Sequence, residues 1–208
     1  MYAGSFFKWS IAAVLCGFLT VSSAAADSHG KASADFIRSL ADKAITSLTD
    51  PETPRSERIE RFRTLFNDSF AVRSIGKRAL GRYWRQASDT EKTRYEKLFE
   101  NLMVVTYVDR FANYAGEALD IEKSRVEDKS IATVFTQIMR KGGAKPIRVE
   151  WIVGTNGVIY KIVDVKVEGV SMTQTLSSDF ASIIRRGGGI PGLLDELEKK
   201  TAQLSAAK

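Results

Sequence analysis

The sequence predicts an α+β protein in which helices come first, an antiparallel sheet follows and two helices close the chain. Three observations predict this class. Apolar residues recur at helical spacing up to about residue 114, alternate with polar residues between residues 119 and 167, and return to helical spacing from residue 172. Helices and strands segregated in this way are typical of α+β folds. The 208 residues, 44% hydrophobic and 27% charged, suit a folded domain.

Residues 1–26 have the pattern of a secretory signal peptide. Lys8 supplies a positive charge, residues 9–21 form a short apolar run, and Ala24-Ala25-Ala26 offers small residues for cleavage. The run is shorter than the ~18 residues that suggest a membrane-spanning helix, so we expect export rather than anchoring. The polar residues 27–32 are expected to form a loose mature N-terminus, and residues 33–205 a single domain.

Four helices are predicted before the sheet. Apolar residues four apart indicate the first helix near residues 33–49, and Pro54 opens the second. A third, short helix falls within residues 70–80. Ser88-Asp89-Thr90-Glu91 is a capping box, which starts a long helix that reaches about Tyr114 and is apolar on most sides in its second half.

Four strands joined by short turns predict an antiparallel four-stranded meander. Alternating residues mark strands at 119–126, 131–139, 147–153 and 158–167, and Asn156-Gly157 is a strong hairpin signal. Two helices follow, one over residues 172–184 and one from Pro191. Gly187-Gly188-Gly189 is interpreted as the turn between them.

Several classes of chemistry lack the residues they need. Cys16 is the only cysteine and lies in the predicted signal peptide, and His29 is the only histidine and falls in the segment expected to be loose. The mature chain therefore offers no thiolate site, no imidazole metal site and no catalytic triad, and we expect no metal and no cofactor. The net charge of +6 is a mild excess rather than a polybasic tail.

Asp164 is the acidic residue that leaves an enzymatic alternative open. It lies on a predicted strand among Val163, Val165 and Val167. One interpretation is a buried acid with a raised pKa, which would serve an exported enzyme as general acid or base. The other interpretation, which we favour, is a structural acid bonded to the backbone or to an arginine. We therefore expect a protein that is not an enzyme. A secreted adaptor domain with a dry core is a third possibility.

Four segments carry a resemblance to a known family. They are Gly81-Arg82-Tyr83-Trp84-Arg85 before the capped helix, Tyr107-Val108-Asp109-Arg110-Phe111 with Tyr114 and Gly116-Glu117, Val163-Asp164-Val165 with Glu168-Gly169-Val170-Ser171, and Phe180 with residues 183–188. In this order, behind a signal peptide, they resemble the periplasmic phospholipid-binding proteins of the toluene-tolerance or Mla (maintenance of lipid asymmetry) ABC transport system. The resemblance spans roughly residues 33–204.

The resemblance implies a periplasmic phospholipid carrier. It implies a fold like that of nuclear transport factor 2, with lipid tails held between a curved sheet and helices. It also implies shuttling of lipid between an outer-membrane lipoprotein–porin complex and an inner-membrane ABC transporter with an MCE-domain subunit, which maintains the lipid asymmetry of the outer membrane. We expect a monomer that binds no nucleic acid, since an exported protein rarely meets it.

A carrier of this kind must bury roughly 30 methylenes, worth ~0.8 kcal/mol each, so the apolar residues are candidates for a pocket wall. The candidates are Val72, Ile75, Leu80, Trp84, Phe99, Met103, Val104, Tyr107, Phe111, Phe135, Val149, Trp151, Tyr160, Ile162, Val165, Met172, Leu176 and Phe180. A dry core would use the same residue types, so both interpretations stay open. For the headgroup at the pocket mouth the candidates are Arg82, Arg85, Arg185 and Arg186, with a solvated face as the alternative.

Overall fold

The helices and strands follow the predicted order of helices, sheet and helices. In the computed structural model, residues 22–113 and 116–206 are described, with side chains from residue 28. The helices before the sheet are α1 (Ser22–Leu48), α2 (Arg55–Ser69), α3 (Val72–Leu80), a 3-10 turn (Gly81–Arg85) and α4 (Asp89–Ala112). The strands are β1 (Ala118–Val126), β2 (Ile131–Met139), β3 (Ile147–Thr155), β4 (Tyr160–Val167) and β5 (Val170–Ser171), followed by α5 (Met172–Arg186) and α6 (Gly189–Ala206). Over the described ranges, no helix has the length and apolar character to cross a membrane.

The first helix begins earlier than the sequence predicts. Residues 27–32, expected to be loose, lie inside α1. Gly30 and Ser33 are buried, and a Cβ on Gly30 would lie only 2.9 Å from the Ser124 hydroxyl oxygen. The polar composition of this segment is thus outweighed by its packing against β1. Most of the predicted signal peptide lies outside the described residues, and its cleavage stays a prediction.

The sheet is antiparallel, as predicted, but has five strands in the order β1-β2-β3-β4-β5 rather than four. The fifth strand has only two residues, Val170 and Ser171, which pair with the end of β4. Two residues are too few to show an alternating pattern, so periodicity could not reveal this strand. The predicted hairpin is present, since the Asn156 side chain accepts hydrogen bonds from the backbone N–H groups of Val158 and Ile159.

The two faces of the sheet differ in character. On the inner face, Val134, Trp151 and Val165 lie side by side in register, and Ile37 of α1 packs into the same cluster, the sheet core. On the outer face, Phe135 is paired with Lys123 and with Glu150. One sheet face is therefore apolar and covered by α1, while the other carries charged residues.

The remaining helices enclose a second cluster, the helical core. Tyr95 and Phe99 of α4 each meet Phe180 of α5 nearly edge-on, with ring centroids 6.2 and 6.4 Å apart. Leu193 and Leu194 of α6 complete it and are almost fully buried. The predicted capping box is present at Ser88 and starts α4. The protein therefore has two apolar cores, one between α1 and the sheet and one among α2–α6.

Phe70 borders both cores. Its ring centroid lies 4.9 Å from that of Phe66 in the helical core, and the residue forms a parallel bridge with Ile162 of the sheet core. The next residue, Ala71, donates a backbone hydrogen bond of 2.9 Å to the Ile162 carbonyl. This segment fixes the start of α3 against β4 and defines the seam between the two cores.

Candidate functional site

A groove of about 800 Å³ opens at this seam, at the start of α3. Its apolar residues are Phe70, Ala71, Val72 and Trp84, and its polar residues are Arg73, Ser74, Lys77, Lys92 and Lys161. The volume falls within the ~300–1,000 Å³ typical of ligand pockets. The groove therefore combines an apolar floor with a rim of basic side chains.

Trp84 organises the basic side of the groove. The ammonium groups of Lys77 and Lys92 each lie 5.9 Å from the centre of its indole ring, within the range of cation–π attraction. The ring also packs edge-on against Tyr95, with centroids 6.4 Å apart. Because Tyr95 is fully buried, this contact anchors the groove wall to the helical core.

The rim keeps an excess of positive charge. Arg73 pairs with Glu96 at 2.7 Å and Lys92 with Asp89 at 3.1 Å. Lys161 donates to the Asn67 carbonyl at 2.7 Å, and this neutral acceptor does not compensate its charge. For Lys77, no carboxylate lies within ion-pair distance in the described part of the chain. An anionic group entering the groove would thus find basic partners near an apolar floor.

A second cavity of about 260 Å³ lies between α1 and β1. Arg38, Asp42 and Ile45 line it on the helix side, and Leu119 and Ile121 on the strand side. Its volume is below the usual range for ligand pockets, so the groove at the seam is the stronger candidate site.

The predicted pocket residues are spread over the groove and the two cores. Val72 and Trp84 line the groove. Those in or against the helical core are Ile75, Leu80, Phe99, Met103, Val104, Tyr107, Leu176 and Phe180, and those in the sheet core are Trp151, Tyr160, Ile162 and Val165.

The other predicted pocket residues lie apart from these sets. Val149 is buried on β3, Met172 is half-buried at the start of α5, and Phe111 packs against Phe62 with ring centroids 5.6 Å apart. Phe135 does not join the rest, because the strand register places it on the outer face beneath the cations of Lys123 and Arg125.

Sequence reasoning missed several residues that line the groove. Phe70 ends α2, and its apolar character was visible, but its place at the seam depends on the bridge to β4. Lys77, Lys92 and Lys161 belong to three separate elements and come together only in the folded chain. No spacing along the sequence could have grouped them.

The four predicted headgroup arginines do not line the groove. Arg82, Arg85, Arg185 and Arg186 are all exposed. Arg82 donates a hydrogen bond of 3.1 Å to the Tyr83 hydroxyl. Hydrogen bonds from Arg82, the larger influence, and from Arg185 lower the pKa of Tyr83. The structure thus brings two of the four arginines together at one phenol.

Asp164 is a structural acid. Its carboxylate accepts hydrogen bonds from the hydroxyl groups of Ser171 and Thr173 and from the backbone N–H groups of Val165 and Thr173. Burial raises its pKa, but these hydrogen bonds outweigh burial, and the net pKa is lowered. The raised pKa that a general acid would need is therefore contradicted, and the carboxylate stays ionised.

An apolar floor beside a basic rim defines a class of site, one that accepts an amphipathic anion. The chain belongs to the MlaC family, since the family model described as "MlaC protein" matches residues 38–199. This finding confirms the resemblance predicted from the sequence. The chain is also similar to the intermembrane phospholipid transport system binding protein MlaC of Haemophilus influenzae. The two are 22% identical over 197 residues, which cover 91% of this chain and 90% of that protein.

A solved structure shares the fold. The phospholipid-binding protein from Ralstonia solanacearum, determined in complex with a phospholipid, matches with a TM-score of 0.74 at 20% identity. The match covers 82% of this chain and 97% of that chain. At this level of identity the likeness shows that the two chains have the same α+β architecture.

Proposed function

We propose that this protein is a carrier that binds a phospholipid and shields its acyl chains during transport between membranes. The observation that carries the proposal is membership of the MlaC family over residues 38–199. The Haemophilus relative is named as a phospholipid transport binding protein, and the Ralstonia protein was solved with a phospholipid bound. Both descriptions fit a site that accepts an amphipathic anion.

The groove at the seam is the proposed entrance for the lipid. Acyl chains would pass Phe70 and insert between the helical core and the sheet core, whose facing residues are apolar. The headgroup phosphate would stay at the rim near Lys77, Lys92 and Lys161. Burying roughly 30 methylenes is worth on the order of 25 kcal/mol, a gain that offsets the cost of parting the two cores.

The cellular setting is proposed on the same basis. The protein would work as a periplasmic monomer with a fold like that of nuclear transport factor 2. It would pass lipid between an outer-membrane lipoprotein–porin complex and an inner-membrane ABC transporter with an MCE-domain subunit. The Haemophilus relative is named as the binding protein of an intermembrane phospholipid transport system, and this name supports the proposed role in transport between membranes.

Native mass spectrometry of the full protein, purified from cells without detergent, tests the proposal. We expect a bound mass equal to one phospholipid, which organic extraction removes. A bare chain mass from a folded protein would contradict the proposal and favour a dry core.

A charge placed on the groove floor tests where the lipid enters. Val72→Glu puts a carboxylate on the floor, so we expect loss of most of the bound phospholipid. Val158→Glu is the matched control, since Val158 is 84% exposed at the tip of the β3–β4 hairpin. Far-ultraviolet circular dichroism confirms that both variants fold. Equal lipid content in the two folded variants would place the lipid elsewhere.

A further inference from the structure

Four exposed arginines, here called the arginine face, lie in the 3-10 turn and at the end of α5, namely Arg82, Arg85, Arg185 and Arg186. Within the described ranges, none of them lies within ion-pair distance of a carboxylate. Most other arginines have such a partner, namely Arg38, Arg55, Arg61, Arg63, Arg73, Arg94, Arg125 and Arg148. In the described part of the chain, eight of the sixteen arginines are paired with a carboxylate, and the arginine face carries charge without such a partner.

Tyr83 holds one of these arginines, Arg82, in place. Its side chain is only 9% exposed and belongs to the helical core, so its hydroxyl is a fixed point at the surface. Arg82 lies with its guanidinium carbon 5.0 Å from the Tyr83 ring centre and donates to the hydroxyl at 3.1 Å. Arg185, at the end of α5, acts electrostatically on the same hydroxyl and, with Arg82, lowers its pKa. The Tyr83 hydroxyl thus orients one guanidinium group, and a second one from a separate element adds positive charge near it, which suits a phosphate oxyanion.

The arginine face adjoins the groove through the 3-10 turn. Trp84, which lies between Tyr83 and Arg85 in the 3-10 turn, is part of the groove wall and contacts Lys77 and Lys92. Arg82 and Arg85 therefore lie within two residues of a groove-lining side chain that contacts two lysines of the rim.

This surface has no apolar anchor. The large apolar side chains that are exposed in the described residues are Met139, Val158, Ile159 and Val170, none of which lies on α3, the 3-10 turn or α5. Contact with a partner at the arginine face therefore depends on charge rather than on insertion.

We propose that the arginine face docks onto an anionic phospholipid surface and turns the groove entrance towards the headgroups. This inference rests on the proposed function, because it takes the groove as the place where the lipid enters. A lipid surface fits better than an acidic protein, since the face adjoins the lipid entrance and lacks the apolar contacts that form the centre of a protein interface. Each basic residue near an anionic membrane strengthens binding several-fold, and the attraction is screened by salt.

Co-sedimentation of the full protein with vesicles tests the proposal. One set contains phosphatidylglycerol and phosphatidylcholine in equal parts, and the other contains phosphatidylcholine alone. We expect binding to the anionic vesicles only, and weaker binding as salt rises from 50 to about 300 mM. The double variant R82Q/R185Q should bind about 30-fold more weakly. The control K199Q/K200Q removes the same charge from exposed lysines of α6 and should change binding less than about threefold.

The Tyr83→Phe variant tests whether the position of the Arg82 guanidinium matters in addition to the net charge of the surface. The variant keeps every arginine but removes the hydroxyl to which Arg82 donates, so weaker vesicle binding with an unchanged melting temperature supports the site. The docking proposal would be overturned if R82Q/R185Q and K199Q/K200Q lost vesicle binding to the same extent. Equal binding of the wild-type protein to both vesicle types would also overturn it. If the protein bound poly-glutamate through these arginines but did not bind anionic vesicles, the partner would be an acidic protein rather than a lipid surface.

The lipid content of the same samples, measured by native mass spectrometry, keeps the two proposals apart. If the wild-type protein contains bound phospholipid but R82Q/R185Q binds vesicles as well as the wild type does, only the docking proposal is overturned. Absence of phospholipid from the wild-type protein contradicts the carrier function itself.

Discussion

The Asp164 carboxylate holds Thr173 by two hydrogen bonds, one of 3.2 Å from the backbone N–H and one of 2.7 Å from the hydroxyl. Thr173 is the second residue of α5, so the carboxylate lies at the start of that helix, where its negative charge also complements the helix dipole. Ser171 and Val165 donate to the same carboxylate. Asp164 therefore joins β4 to α5, the helix that carries Arg185.

Asp164→Ala should lower the free energy of unfolding by about 3 kcal/mol, because four part-buried hydrogen bonds lose a charged acceptor. Asp164→Asn keeps one acceptor oxygen and should cost about half as much. Urea unfolding at pH 7 measures both changes. If the folded Asp164→Asn variant kept its stability and bound lipid but lost a catalytic turnover found in the wild type, the enzymatic alternative would be revived.

Stability should depend on pH through the same carboxylate. The pKa of Asp164 is lower in the folded protein than the ordinary value of ~3.9, so its contribution is complete at neutral pH. The contribution is lost as the pH falls below about 4 and the carboxylate takes up a proton. Urea unfolding between pH 7 and pH 3 should therefore show a smaller loss of stability for Asp164→Asn than for the wild type. Parallel curves for the two proteins would contradict this assignment.

Arg58 should be among the most sensitive charged residues. It is 6% exposed, and its guanidinium donates to the carbonyls of Leu48, Asp50 and Thr53 at 2.9–3.0 Å, closing the end of α1. Arg58→Lys keeps the charge but cannot reach all three carbonyls, so we expect a loss of about 2 kcal/mol in urea unfolding. Arg38→Lys, at an exposed arginine paired with Asp35, should change stability by less than about 0.5 kcal/mol. Similar effects at the two positions would show that the carbonyl contacts do not matter.

Two glycines near the junction of α5 and α6 should differ in their tolerance of a side chain, Gly187 at the end of α5 and Gly192 in the first turn of α6. A Cβ on Gly192 would overlap the Gly187 carbonyl oxygen, so Gly192→Ala should destabilise by about 2 kcal/mol even though alanine favours helices. Gly187 has an extended φ of −171° and open space around its Cβ position, so Gly187→Ala should be nearly neutral. Thermal unfolding of both variants measures the difference, and a stable Gly192→Ala protein would show that the turn can open.

Phe135 and Trp84 should differ in their effect on bound lipid. Both were predicted to line the pocket, but Phe135 lies on the outer sheet face between Lys123 and Arg125, whereas Trp84 lines the groove. Phe135→Ala should therefore keep the wild-type lipid content, and Trp84→Ala should reduce it several-fold. Native mass spectrometry of the folded variants measures the lipid content. Loss of lipid in Phe135→Ala would place lipid on the outer face.

Local signals made much of the fold predictable. The capping box at Ser88, the Asn156-Gly157 turn and the alternation along β3 each depend on neighbouring residues, and all three are present. The start of α1 and the strand β5 were missed for different reasons. The start of α1 is stabilised by a contact between residues far apart in the chain, Gly30 and Ser124, whereas β5 pairs Val170 with nearby Val167 but is too short to show a periodic pattern.

The candidate site could be predicted only in part. The residue types of a lipid-binding protein and the arginines of the basic face were visible in the sequence, and the motifs led to the MlaC family. Apolar side chains look alike whether they fill a core or line a groove, so the pocket candidates could not be sorted. The pairing register of the strands cannot be read from the sequence. In the structure, this register places Phe135 on the opposite face of the sheet from Trp151.

By itself, then, the sequence determined the order of helices and strands, the family and the absence of cysteine and histidine chemistry from residues 30–208. These properties follow from composition and from patterns between near neighbours. Tertiary structure alone decided that Phe70, Trp84 and three lysines from separate elements meet in one groove, and that Arg82 and Arg185 meet at Tyr83. The physical reason is that a site is built from residues far apart in the chain, and only the packing of the two cores brings them together.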